Sequence, residues 1–381
     1  MINNKLCLHQ LFHHQSQLTP NNIAIADKNK ALTYKELDEV TDKLAGYLQK
    51  HNVLFDDPVA ILMDKSIEYV ITYIGILKAG GAYVPLDMAN PDTLLYNMLD
   101  TTNPKVIVTK KAFNNRLHPQ FSTQTLVIDK TEEWKNYPYD RETVGSMSLD
   151  NLAYIVFSSG TTGGPKGILA PHRGAVYSYN NRYKISSYKP GDRVGCNIFF
   201  VWEILRPMLK GATCYVIPDE IIYESRKLIN FIFENKITEI LFTPSLLENI
   251  LNTIKPEDIE TKLDTLKTLW LNGEVVTTKL RKRALEILPK HTRLLNTYSI
   301  SECHDVASLD LNKNGAFGGY VCPVGYADEG IELSILDKNR NPVEVGSVGE
   351  LYICSPCLAH GYLNNPELTK EKFLIIRGKK Y

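Results

Sequence analysis

The 381-residue chain predicts an α/β protein of layered, mostly parallel sheets covered by helices, followed by a small antiparallel, barrel-like subdomain. Three observations predict it. Short apolar runs recur along residues 1–313, helical stretches separate several of them, and past about Asn314 the helices give way to short strands joined through Asp, Asn and Gly turns. Strands that alternate with helices build a parallel sheet with both faces covered.

The elements follow in order. Residues 32–51, LTYKELDEVTDKLAGYLQKH, set Leu37, Val40, Leu44 and Leu48 at helical spacing. Thr33 stands at the N-cap, and Glu36 three residues on completes a capping box. PVAILM (58–63) reads as a buried strand, 66–78 as a helix stopped by Gly80 and Gly81, and AYVPL (82–86) as the next strand. The rhythm returns in KVIVT (105–109), TLVI (125–128), AYIVF (153–157), ATCYVI (212–217), TEILFT (238–243), TLKTLWL (265–271) and TRLLN (292–296). IELSIL, NPVEVG and GELYIC then read as strands of the small subdomain. The expected domains are 1–313, a core of two α/β subdomains, and 314–381, the small β unit.

Composition narrows the function. With 44% hydrophobic and 23% charged residues the chain is globular in character, which excludes a disordered or low-complexity protein. Lys plus Arg and Asp plus Glu both number 43, so no broad surface for nucleic acid or anionic membrane is expected; a local anion site stays open. Seven scattered cysteines, and no apolar leader after Met1, point to a reduced cytoplasm. No apolar run reaches the roughly 18 residues of a membrane span.

The segment SSGTTGGPKG (158–167) follows the buried run LAYIVF. Taken alone, a Gly/Ser/Thr segment reads as a surface loop. A strand that opens into serine, threonine and glycine also leaves backbone N–H groups and hydroxyls around one concavity, a nest for phosphate oxygens, and Lys166 adds positive charge. The pattern GxxxxGK[ST] does not fit, because Pro165 replaces its second glycine and Gly167 the hydroxyl that would hold magnesium.

AYIVFSSGTTGGPKGI resembles the phosphate-loop signature of the adenylate-forming superfamily. LTYKELDEVTDKLAGYL, LKAGGAYVPLD (77–87), NTYSISE (296–302) and GELYICSPCLAHGYLNNPELT (349–369) resemble further signatures of that family, in its order, and LKAGGAYVPLD with GYLNNPELT is especially similar to nonribosomal peptide synthetase adenylation domains. The resemblance implies that a carboxylate attacks the α-phosphorus of MgATP to give an acyl adenylate, which a carrier-protein thiol then takes up. ATP and Mg2+ are the implied cofactors; a small carboxylic acid, a carrier protein and further synthetase domains are the implied partners. By motif, Ser158, Ser159, Gly160, Thr161, Thr162, Gly163, Gly164 and Lys166 would cradle the phosphates, with Thr161 and Glu302 at the magnesium and Ser301 at the α-phosphate. Asn296 and Tyr298 would contact adenine, with backbone from Asn272, Gly273 and Glu274. Ser299 and Ile300 depart from the Gly-Pro that the family carries before its Thr-Glu pair.

In amino-acid-activating relatives a motif resembling FDxSVWE supplies an aspartate for the substrate's α-ammonium. Here the run is NIFFVWE (197–203), with Ile198 in that place. An ammonium buried against Ile198 and Phe199 would lack its counter-charge, at a cost of several kcal/mol. The expected substrate is therefore an α-keto, α-hydroxy or aryl acid, and a small branched aliphatic or α-keto acid fits best. Further expected walls are Trp202, Leu241, Trp270, Asn272, Thr297, Asp305 and Val306. Asp305 keeps a second reading open, since it would pair with the amine of a β-amino acid or be merely solvated beside His304. On a regular strand His304 and Asp305 would point opposite ways. The lone CxxC of Cys354 and Cys357 and the PHRG histidine, His172, read as structural. Transfer to CoA and a non-catalytic binding core are the alternative functions. The family's ribose-binding aspartate and catalytic lysine lie past the position matching Tyr381, so a missing C-terminal cap and weak adenylation by this piece alone are expected.

Overall fold

The computed structural model describes the chain apart from Thr143, residues 159–164, Ile198, Phe199, residues 314–317 and Arg377, and apart from the side chains at 122, 123, 200 and 201. Two mostly parallel sheets form the frame. The six-stranded sheet runs Thr125–Val127, Val106–Thr109, Pro58–Leu62, Ala82–Pro85, Leu152–Ser158, Lys166–Pro171, and its last pair is antiparallel. The nine-stranded sheet has a parallel centre of Arg293–Ile300, Thr268–Leu271, Glu239–Phe242, Arg193–Cys196, Thr213–Val216 and Ile23–Ala26. Its edges are antiparallel: Ala31–Thr33 on one side, His304–Asp310 and then Tyr326–Ala327 on the other.

Local chemistry sets the helix bounds. Thr33 Oγ accepts from the Glu36 N–H at 3.2 Å and Glu36 Oε2 accepts from the Thr33 N–H at 2.8 Å, the capping box that starts Tyr34–Lys50. Ser66 caps Ile67–Ala79, and Gly80 at φ 93° ends it, a backbone shape that a side chain would strain. All of that helix except Glu68 is buried, as expected of a helix lying between layers. One core cluster joins it to Leu8–Leu18, to Tyr34–Lys50 and to strands of both sheets. Its buried cation, Lys78, meets Asp38 and Asp42 at 2.6 Å each, which compensates the lost hydration.

Beyond residue 317, Glu332–Leu336 pairs antiparallel with Glu350–Cys354, and Ile375–Ile376 with Lys379–Lys380. The antiparallel texture matches expectation, but the barrel does not. Among the described residues these are two separate ribbons that do not close. NPVEVG contributes an isolated bridge, Leu336 with Pro342, because proline has no N–H to continue a ladder. No described helix is long and apolar enough to cross a membrane.

Candidate active site

Ligands of open parallel sheets gather beyond the carboxyl ends of the strands. Here a cavity of about 220 Å³ opens beside Leu241, Asn272 and Gly273 at the ends of two central strands, and beside the turn Ser299, Ile300, Ser301. A second cavity of about 430 Å³ shares Trp202 and Ser301 with it and is bounded by Ser158 and Pro165. The two spaces therefore adjoin at the foot of the predicted phosphate loop.

The strands on either side of that loop pair with each other. Phe157 pairs with Gly167 and Ser158 with Lys166, so both ends are fixed in the six-stranded sheet. Ser159, Gly160, Thr161, Thr162, Gly163 and Gly164 lie outside the described residues, as do Ile198 and Phe199. Lys166 is half-buried at the hairpin's base. Glu302 accepts a hydrogen bond from Tyr362 Oη at 2.8 Å through Oε1. Among the described residues no group of three or more His, Cys, Asp or Glu could enclose a metal ion. A single carboxylate does fit magnesium, which keeps waters and takes phosphate oxygens as further ligands.

Trp202, Leu241, Asn272, Gly273, Ser301 and Asp305 are brought together in the smaller cavity. Trp270, Thr297 and Val306 are not. Trp270 is fully buried, its Nε1 donating to Glu239 at 3.1 Å. Thr297 Oγ1 donates to the Ala307 carbonyl at 3.3 Å, and Val306 packs with Cys303, Ile331 and Ile353. Of the nucleotide candidates, Asn296 is buried and donates to the Pro323 carbonyl at 3.0 Å. Tyr298 is half-buried against the Val306 cluster. The Glu274 carboxylate is exposed and accepts from the Ser245 N–H and hydroxyl at 2.9 and 2.8 Å, at the start of the helix Pro244–Thr253.

Sequence reasoning missed the charges behind this cavity. Arg182 grips Asp305 through two contacts, Nε to Oδ2 at 2.7 Å and Nη2 to Oδ1 at 3.2 Å, and Ser178 Oγ donates to Oδ2 at 3.0 Å. Asp305 is thus neither solvated nor unpaired. Burial tends to raise its pKa, but the Arg182 guanidinium outweighs that and holds it below the usual carboxylate range. The same guanidinium lies 3.9 Å from the centre of the Trp270 ring. Arg206 pairs with Glu203 and, at 3.2 Å, with Glu239; all three are buried. Ser178, Tyr179 and Arg182 share one face of the helix His172–Ile185, the spacing that could have signalled a site. A charge in a helix reads by default as solvated, which hid it.

His304 and Asp305 both line the cavity, contrary to the alternation expected of a strand. The register slips between Tyr298 and Ser299, and His304 takes a left-handed φ of 62°, so the local pleat is broken. His304 Nε2 lies 2.8 Å from Tyr154 Oη, and burial pushes its pKa down to about 4, leaving a neutral ring. Its ring centre is 5.2 Å from that of Trp202.

The family model described as AMP-binding enzyme matches residues 12–363. Glycine betaine reductase ATRR of Emericella nidulans is 40% identical over 373 residues, covering 96% of this chain and 29% of that protein. Bacitracin synthase 2 of Bacillus licheniformis is 29% identical over 383 residues, 96% of this chain and 14% of that protein. The chain thus spans less than a third of either relative. The nonribosomal peptide synthetase FmoA3 shares the fold at a TM-score of 0.89 and 24% identity, covering 100% of this chain and 41% of that one. The N-terminal subdomain of Klebsiella oxytoca NpsA, in complex with 3-hydroxybenzoyl-AMSN, does so at 0.82 and 23%, covering 98% and 94%. The chain belongs to the AMP-binding enzyme family, as an adenylation core whose chemistry is the ATP-dependent activation of a carboxylic acid.

Proposed function

We propose that the acid activated here carries no N–H-bearing ammonium on its α-carbon, and that the acyl group passes to the phosphopantetheine thiol of a carrier-protein domain. The commitment of the cavity's carboxylates carries the first half. Asp305 already holds Arg182 and Ser178, and Glu203 holds Arg206. An α-ammonium entering this cavity would give up water for too few acceptors, at a cost of several kcal/mol. α-Keto, α-hydroxy and aryl acids avoid that cost.

A quaternary-ammonium acid avoids it too, and two observations favour this second reading. The relative that is 40% identical is named for glycine betaine. The cavity also presents the rings of Tyr179, Trp202 and His304, backed by three carboxylates, Glu203, Glu239 and Asp305, against two guanidiniums, Arg182 and Arg206. That set has one negative charge in excess. A methylated cation needs no hydrogen-bond acceptor and is held by aromatic faces and a negative field.

In the reaction, a carboxylate oxygen bonds to the α-phosphorus as the bond to pyrophosphate breaks; the acceptor thiolate then bonds to the acyl carbon and AMP leaves. Both steps bring anion to anion, so the protein's task is neutralisation and orientation. Lys166 would offset phosphate charge at the hairpin's base. Glu302 would hold magnesium, which supplies charge neutralisation across the phosphates. Ser301, between the two cavities, would orient the α-phosphate.

ATP–pyrophosphate exchange by the full-length protein, with matched 2-amino, 2-oxo, 2-hydroxy and aryl acids and glycine betaine, tests the acid class. Preference for the 2-amino acid would refute it. Acyl transfer to CoA in place of a carrier protein would refute the acceptor.

A further inference from the structure

The GYLNN segment does more in the structure than connect the small subdomain to the helix Pro366–Lys372. Residues 359–363 lie alongside the strand Lys166–Pro171, which leaves the phosphate hairpin. His360 N donates to the Leu169 carbonyl at 2.8 Å, Leu169 N to the Gly361 carbonyl at 3.0 Å, and Leu363 N to the Gly167 carbonyl at 2.7 Å, with Ile168 and Tyr362 forming an antiparallel bridge. The same segment holds Glu302 twice, through Ala359 N to the Glu302 carbonyl at 2.8 Å and through Tyr362 Oη to Glu302 Oε1 at 2.8 Å.

Tyr362 is itself locked. It is 9% exposed, its N–H donates to Thr369 Oγ1 at 2.9 Å, and its ring packs edge-on against Phe373 at 5.6 Å between centres. Gly361, at φ 152°, leaves no room for a side chain, because a Cβ there would come within 2.4 Å of Thr369 Cγ2. One aromatic side chain thus ties the exit of the phosphate loop to the acid that would hold the cation.

We propose that Tyr362 is a positioning residue for magnesium: by donating to Oε1 it fixes the plane of the Glu302 carboxylate, so that the other oxygen is the one that would hold the metal. This rests on Glu302 as the magnesium acid. A hydrogen-bonded partner that orients a metal ligand is worth about 10–100-fold in metal affinity.

The test is nucleotide affinity, measured by titration calorimetry on the full-length protein with and without Mg2+, for wild type, Tyr362→Phe, Glu302→Gln and the double variant. Phenylalanine keeps the ring against Phe373 and removes the hydroxyl alone. The expected result is that Tyr362→Phe reduces the Mg2+-dependent gain in affinity about 10-fold or more and leaves metal-free affinity and the thermal midpoint near wild type. Added to Glu302→Gln, it should reduce the gain no further. An intact gain in Tyr362→Phe, with the gain lost in Glu302→Gln, overturns the role of Tyr362 alone. Metal-free and metal-bound affinities falling together in Tyr362→Phe mark a structural role and overturn it as well. An intact gain in Glu302→Gln overturns both assignments.

Discussion

Replacing Arg182 by methionine should change both the stability and the substrate range of this protein. The pair it forms with Asp305 is buried, with side chains 2% and 12% exposed, and the contacts are 2.7 and 3.2 Å. At those distances, with an effective dielectric of about 20, the gross attraction is roughly 5 kcal/mol. Desolvation consumes much of this, so the informative quantity is the cost of removing one partner, about 3–5 kcal/mol, because the other charge stays buried alone. Arg182→Met should therefore destabilise by that amount in urea unfolding, and so should Asp305→Leu. The double variant should recover most of the loss, since a buried pair replaced by apolar groups costs little. In pyrophosphate exchange Arg182→Met should also admit amine-bearing acids, because it frees the Asp305 oxygens to accept their N–H groups. Additive losses in the double variant, or single losses below about 1 kcal/mol, would refute the pairing as the basis of the cavity's specificity.

Other outcomes follow from the same structure. Lys78→Met should cost about 1–3 kcal/mol in chemical denaturation, because Asp38 would lose its buried cation and keep only His13 at 2.8 Å and Arg141 at 3.7 Å. Stability should fall as pH drops below about 6.5: burial lowers His304 to about 4 and His172 to about 3, so the unfolded chain takes up those protons first, costing about 2 kcal/mol for each at pH 5. A urea midpoint constant between pH 7 and pH 5 would contradict this. Gly174→Ala should lose about 1–3 kcal/mol in thermal unfolding, since its Cβ would lie 2.8 Å from His304 Nε2 and 3.0 Å from the Cys357 carbonyl.

What the sequence makes legible is whatever local chemistry decides. The Thr33–Glu36 box, the Ser66 and Gly80 stops and the strand-to-loop passage at Phe157–Ser158 need no distant partner, and they are found where periodicity and turn residues put them. The barrel expected after residue 314 required long-range closure that short strands cannot announce. The charges behind the smaller cavity were illegible for a related reason. Arg182, Glu203, Arg206 and Glu239 come from three separate segments, and each alone would be solvated; they become buried pairs when the helix His172–Ile185 packs near Asp305 and Trp270. His304 escaped because a bulge cannot be read from one strand alone.

The most direct test is one pyrophosphate-exchange series with the full-length protein: glycine, N-methylglycine, N,N-dimethylglycine and glycine betaine, which differ in how many N–H groups the substrate brings to a cavity whose Asp305 and Glu203 carboxylates already hold Arg182 and Arg206. The account predicts that kcat/KM rises with each methyl group, by about 100-fold or more from first to last. A series that is flat, or that falls toward glycine betaine, would contradict it.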